Sequence, residues 1–359
     1  MVDYATIFDR VRGSLLGGAV GDAVGWPIEF QNLSQIRDRY GADGVTGFVP
    51  QHDDGAPQQI TDDTQMTLFT AEGLLRSVPG ADPVPALRRA YLRWLQTQQG
   101  EGPAVDSDGW LVSLPFLHAV RAPGNACMSG LRRQALSYVA PEPFGANGPV
   151  NSHSKGCGTV MRSAPFGLAG MGPEHAFTTA ARAAQLTHGH PTGYLAAGAF
   201  AALVDRVVRG SELPDAVRET IAQLTDIPGS AETIDALTRA ITVAEDAPAA
   251  EQVEQVGAGW IAEECLAVAV YSAMHAARTG DVRAALLLSV NHSGDSDSTG
   301  AVAGNLIGAM HGVSALPMDW VSVVEGRDVL IQVADDLVMN FGVGDRSALA
   351  ARYPVDEGL

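Results

Sequence analysis

The sequence predicts an all-α fold, on three observations. Alanine-rich stretches with helical spacing recur along most of the chain. Runs of β-branched and aromatic residues, which mark strands, are sparse. Hydrophobic residues make up 46% of the 359 and charged residues 18%, so a large core can be buried and disorder is disfavoured. No linker composition and no repeat divides the chain, so residues 1–359 read as one domain.

The elements follow in order. A first helix is expected over Tyr4–Val24, with Gly13, Gly17 and Gly21 at four-residue spacing. Each glycine costs a helix roughly 1 kcal/mol against alanine, so a stripe of three points to a second backbone packed close by. Ser298–His311 carries the matching stripe Gly300, Gly304 and Gly308, and these two helices are expected to lie near each other at the centre. Ordinary tight packing explains the glycines themselves. Asn32–Gln59 reads as a Gly/Pro/Asp-rich loop. Helices are expected over Thr61–Ser77 and Val84–Gln98, with loops at Gly100–Ser107 and Pro141–Cys157. Further helices are expected over Pro173–Leu186, Gly193–Arg209, Leu213–Thr225, Ala231–Glu245, Ala258–Arg278, Val282–Val290 and Asp328–Phe341.

Composition narrows the function. A formal net charge of −18 repels phosphate backbones, which argues against general nucleic-acid binding. The longest apolar stretch, near Tyr194–Val204, is too short to span a bilayer, and MVDYATIFDR lacks the pattern of a secretory signal. Cys127, Cys157 and Cys265 form no CxxC pair, which fits a reduced, cytoplasmic setting.

Two segments carry most of the chemistry. Ile60-Thr61-Asp62-Asp63-Thr64 and His292-Ser293-Gly294-Asp295-Ser296-Asp297-Ser298-Thr299 each place two acids and nearby hydroxyls at a helix start. Helix capping accounts for one acid or hydroxyl per helix. It accounts poorly for the density at the second site. If the pairs meet, four carboxylates would repel unless a cation neutralised them. Carboxylate and hydroxyl oxygens suit Mg²⁺, Mn²⁺ or Ca²⁺, and two metals about 3.5–4 Å apart become reasonable. A third acidic element, Gly21-Asp22 through Glu29, follows the first helix. Asp22 reads best as a buried acid that ties down loop amides. Glu29 could add a ligand or a base.

Ser152–Arg162, containing Ser154-Lys155-Gly156-Cys157-Gly158, is either a glycine turn or a nest for phosphate, with Lys155 and Arg162 helping to balance an anion. His188 and His190 lie between helices without the partners a zinc site requires. A Cys157 nucleophile would need a positioned base.

Taken in order, these segments resemble the ADP-ribosylglycohydrolase family. The resemblance rests on Gly13-Ser14-Leu15-Leu16-Gly17 with Gly21-Asp22, on Thr61–Thr64, on Met161-Arg162 and Thr187-His188, and on Gly294–Ser298. It implies an all-α, compact orthogonal helical bundle with a central binuclear Mg²⁺ or Mn²⁺ site. It implies one metal on Thr61, Asp62, Asp63 and Asp297, and a second on Asp295, Asp297 and Ser298, with Asp297 bridging. Serine stands at Ser298 where the family often has threonine; the hydroxyl is kept. Glu29 matches an acid that approaches the metals in some members. Asp62, Asp63 or Glu29 would take the proton from the attacking water.

The loop Ser154, Gly156, Cys157 and Gly158 would wrap the diphosphate and ribose, with Met161 alongside; many relatives carry asparagine at the Cys157 position. His188 would lie beside ADP-ribose and Asn125 near the scissile end. An acid near that turn in some arginine-type members corresponds to Ala122 here. The implied activity is hydrolysis of the glycosidic bond between ADP-ribose and an acceptor, by a cytoplasmic monomer acting on an ADP-ribosylated substrate. The alternatives are an inactive ADP-ribose-binding or crystallin-like protein on the same scaffold and an unrelated metal phosphoesterase.

Overall fold

The computed structural model describes residues 3–50, 56–103 and 108–356. Among them lie sixteen α-helices and no sheet. They are α1 (Tyr4–Gly25), α2 (Leu33–Tyr40), α3 (Asp62–Leu75), α4 (Val84–Thr97), α5 (Asn125–Leu136), α6 (Ala164–Leu168), α7 (Pro173–Ala184) and α8 (Pro191–Val208). The second half contributes α9 (Leu213–Leu224), α10 (Ala231–Val243), α11 (Ala250–Val256), α12 (Ala262–Thr279), α13 (Val282–Val290), α14 (Ser296–His311), α15 (Met318–Val321) and α16 (Arg327–Leu337).

The centre is the crossing of α1 and α14. Asp3 starts α1 by accepting from the Ala5 and Thr6 amides. From Gly13 onward the helix is buried on every side, and α14 is buried from Ser296 to Ala309. A helix apolar all round belongs in a core. The two glycine stripes meet: Gly13 faces Gly308, Gly17 faces Gly304, and Gly21 faces Gly300. A methyl group on Gly17 would overlap the Gly304 carbonyl. The helical cost of these glycines is therefore the condition for backbone-to-backbone contact. Further along, Gly25 rests against the backbone of Ser296. The contact thus carries the C-terminus of α1 to the N-terminus of α14. Helices α8, α12 and α13 pack on α14, and α16 packs on α1. Buried apolar side chains from Val11 to Tyr353 form one continuous cluster.

Three expectations are corrected. The segment expected as loop over Asn32–Gln59 contains α2, started by a capping box in which Asn32 and Gln35 each bond the other's backbone amide. The helix expected from Ala258 starts at Ala262, because Gly259 at φ +83 breaks the chain just before it. Helix α5 and the short α6, α11 and α15 were not expected; in α5 the buried stripe Cys127, Gly130, Leu131 and Gln134 holds only two apolar side chains. Of the loop expected at Gly100–Ser107, residues 104–107 lie outside the described residues, as do 51–55 of the earlier loop. The Gly/Pro-rich stretch before Cys157 is irregular, as its composition predicts.

Candidate active site

Three helix ends, the C-terminus of α1 and the N-termini of α3 and α14, converge where α1 meets α14. Asp22, fully buried near the end of α1, accepts from the Thr61 amide at 3.1 and 3.0 Å, the Thr64 amide at 3.2 Å and the Thr64 hydroxyl at 2.5 Å. It thereby clamps the start of α3 to α1, the structural role its position suggests. The start of α14 is already held there by the glycines. Asp63 and Ser298, 235 residues apart in the chain, consequently touch: the Ser298 hydroxyl donates to both Asp63 oxygens at 3.2 and 3.1 Å.

Helix capping does not use up these acids. Thr61 caps α3, its hydroxyl accepting from the Asp63 amide at 3.3 Å. Asp295, at the N-cap position of α14, accepts no capping bond. Its carboxylate accepts instead from the Cys157 thiol, at 2.8 Å. Asp62 accepts from the Gly124 amide at 3.2 Å, which fixes the 121–125 turn over the site. Two triads result, Asp22–Asp63–Asp297 and Glu29–Asp295–Asp297, each with ligand oxygens within 4.8 Å of one another. Asp297 belongs to both.

A cavity of about 350 Å³ opens over the acids. It is lined by Glu29, Asp62, Asp63, Asp295, Asp297 and Ser298 on one side, and by Asn125, Gly156, Cys157, Gly158, Met161 and His188 on the other. Thr61 lies behind the wall and Ser154 outside the lining, its carbonyl accepting from the His190 amide. Among the described residues no lysine or arginine lines the cavity. Lys155 and Arg162, expected to balance an anion, are engaged elsewhere. Lys155 pairs with Glu232 at 2.7 Å and Glu263 at 2.5 Å, and Arg162 is buried and donates to Thr187.

The electrostatics follow from this imbalance. Burial, reinforced by the charges of neighbouring acids, pushes Glu29 and Asp62 up to about 8. Burial raises Asp22 to about 6 against the hydrogen bonds it accepts. Asp63 and Asp297 rise well above the carboxylate range for the same reasons as Glu29. One oxygen of Glu29, Oε2, is buried without a hydrogen-bond partner. An all-oxygen donor set with surplus negative charge and an orphaned carboxylate oxygen fits hard divalent cations. Burial and the nearby Asp295 push the Cys157 thiol well up, so it acts as a donor to Asp295, not as a nucleophile.

The mouth holds two residues that the sequence reading did not single out. Phe30, 70% exposed, stacks on Trp260 with ring centroids 5.2 Å apart. The Trp260 carbonyl accepts from the Cys157 amide at 3.1 Å, so the stack joins the Glu29 turn to the glycine loop. Among the described residues three non-glycines have positive φ, and two of them, Phe30 (φ 65) and Ala122 (φ 48), line this cavity. Such strain concentrates at functional sites. A larger cleft of about 540 Å³, beside the start of α1, lacks a comparable cluster; its Arg10 is spent on the Val207 and Val208 carbonyls.

Comparison with known proteins agrees with this geometry. Residues 3–346 match the ADP-ribosylglycohydrolase family. The chain belongs to that family. It is 27% identical over 324 residues to the ADP-ribosyl-[dinitrogen reductase] glycohydrolase of Rhodospirillum rubrum, covering 89% of this chain and 92% of that protein. It is 24% identical over 335 residues to an ADP-ribosylarginine hydrolase of Pseudomonas putida, covering 92% of this chain and 78% of the relative. A solved ADP-ribosylglycohydrolase-related protein complex superposes with a TM-score of 0.64 at 26% identity, over 93% of this chain and 99% of its own. Among the described residues no helix is long and apolar enough to cross a membrane.

Proposed function

We propose that this family member is a divalent-metal-dependent hydrolase that cleaves the glycosidic bond between ADP-ribose and an acceptor, releasing ADP-ribose. The observation that supports it most is the buried acidic cluster, faced by no cation among the described residues and set at the floor of a ligand-sized cavity. In this reading Thr61, Asp62, Asp63 and Asp297 hold one Mg²⁺ or Mn²⁺, and Asp295, Asp297 and Ser298 hold a second. Bound there, the two ions supply charge neutralisation and Lewis-acid activation of water.

The protein's own groups do the rest. Asp62, Asp63 or Glu29 receives the proton of the attacking water. The carboxylates face the anomeric carbon as it gains oxocarbenium character, which favours the transition state over the ground state. Gly156, Cys157, Gly158 and Met161 orient the ligand, with Asn125 near the scissile bond and His188 beside the ADP-ribose. We also propose that the chain works as a single domain, as a monomer in the cytoplasm, on an ADP-ribosylated protein substrate.

The test is a panel of ADP-ribosylated proteins incubated with the protein, with freed ADP-ribose read by mass spectrometry. Release should stop in excess EDTA and return with Mg²⁺ or Mn²⁺. Release that persists in EDTA rejects the metal mechanism. Tight ADP-ribose binding with no release from any substrate would favour the inactive binding protein.

A further inference from the structure

Arg162 is 1% exposed, and its partners are all neutral. It donates to the Thr187 hydroxyl at 2.7 Å, to Cys127 Sγ at 3.4 Å and to Met66 Sδ at 3.7 Å, and it lies 4.6 Å above the Tyr91 ring. A guanidinium taken out of water without an anion is costly, so the placement calls for a reason.

The hydrogen-bond inventory supplies one. Arginine can only donate, so Thr187 Oγ1 accepts from Arg162. The hydroxyl proton of Thr187 then has two candidate acceptors: the Ala184 carbonyl at 3.3 Å and His188 Nδ1 at 2.8 Å. The Ala184 carbonyl already accepts the Thr187 and His188 amides, at 3.1 and 3.0 Å. Its two lone pairs are taken. Nδ1 is both closer and free. Donation from the cation also polarises the Thr187 O–H and makes it the better donor. Asn151 holds the residue in place by donating to the Thr187 carbonyl at 2.8 Å.

We propose that Arg162 and Thr187 are positioning residues that hold His188 as a neutral imidazole with its proton on Nε2, a fixed N–H donor aimed at a ligand oxygen. The other side of the ring faces the glycine loop. A Cβ on Gly156 or Gly158 would come within 3.4 Å of Nε2. The glycines therefore leave room for a ligand to approach that nitrogen, and His188 lines the cavity. Burial, aided by Arg162, lowers the His188 pKa to about 3, which agrees with a neutral ring. A neutral ring whose Nε2 lone pair is replaced by a proton is neither a base nor a metal ligand through that atom. The identity of the oxygen, on phosphate or on sugar, rests on the ADP-ribose reading; the tautomer does not.

The experiment is ¹⁵N NMR of the histidine rings in the full chain, without ligand and then with Mg²⁺ plus either inorganic diphosphate or ADP-ribose. The free protein should show His188 protonated on Nε2 only, unchanged between pH 6 and 8. Thr187→Val should mix the two tautomers and weaken ADP-ribose binding about tenfold, and Thr187→Ser should restore both. A shift of the Nε2 signal with diphosphate places the oxygen on phosphate; a shift with ADP-ribose alone places it on sugar. Nδ1 protonation in the free wild-type protein overturns the relay, whatever the variants do. An Nε2 signal that stays put while ADP-ribose binds overturns its role as a donor. If ADP-ribose fails to bind wild type while the Nε2 tautomer holds, it is the hydrolase reading that fails.

Discussion

Helix α3 carries a buried acidic group at each end, and the two ends are treated in opposite ways. At its C-terminal end Glu72, fully buried, receives Arg93 at 2.9 Å. Arg76 and Arg93 in turn reach Asp356 in the C-terminal tail at 2.8 and 3.4 Å. Burial pushes Glu72 up, but Arg93 and Arg76 pull it back. At the N-terminal end Asp62 accepts from the Gly124 amide and Asp63 from the Ser298 hydroxyl, but the charges around them are those of further acids, and among the described residues no arginine offsets their burial. One end is neutralised within the chain. The other is left for something from solution. Buried charges need a partner wherever they sit, so under the proposed function the acid cluster without a cationic partner is the end that takes the metal.

The largest effect should come from the uncompensated end. Asp63→Ala and Asp297→Ala should each lower ADP-ribose release at least about a thousandfold. The metal-free melting temperature should hold or rise, because a repulsive neighbour is gone. A fall in that temperature comparable to the loss of a buried ion pair would erase the contrast between the two ends.

The next effect is in pH. Asp22 rises from its ordinary 3.8 to about 6, Asp62 from 3.8 to about 8, and Glu29 from 4.5 to about 8. Between those limits the folded metal-free protein binds more protons than the unfolded chain. Its stability should therefore be greatest below about pH 4 as far as these groups go, and should drain away as pH rises to about 8. Saturating Mg²⁺ should flatten the dependence by holding the acids ionised. Denaturant titrations at a series of pH values, with and without Mg²⁺, measure this; equal slopes in both would count against metal binding at these acids.

At the compensated end the prediction reverses. Arg93→Met leaves Glu72 buried without its closest cation and should cost about 3–5 kcal/mol, read from the urea midpoint, while the folded fraction keeps its turnover. Asp356→Asn should cost less, about 1.5–3 kcal/mol, because Arg76 keeps Asp108 at 3.0 Å and Arg93 keeps Glu72. Loss of turnover in excess of unfolding would show that the two ends of α3 are not independent.

The sequence went furthest where local chemistry speaks. Two Asp-rich helix starts, paired glycine stripes and a Gly-Cys-Gly loop were visible without coordinates, and so was the helical class. Helix α2 was missed: its Asn32–Gln35 capping box is a sequence signal, but the surrounding Gly and Pro obscured it. Phe30 and Trp260 carried no signal, because a stack between distant loops leaves no periodicity in either. Lys155 and Arg162 misled for the same reason: their charge was evident, but not the groups that consume it.

By itself, then, the sequence determined the helical class, most of the longer helices and which residue types could bind a cation, since spacing, capping and donor chemistry act over a few residues. Only the tertiary structure decided that Asp63 and Ser298, 235 residues apart, share one site and that among the described residues no cation lines the cavity above them. Burial and pairing depend on contacts between distant segments. Here those contacts are made by glycines that let α1 and α14 touch backbone to backbone.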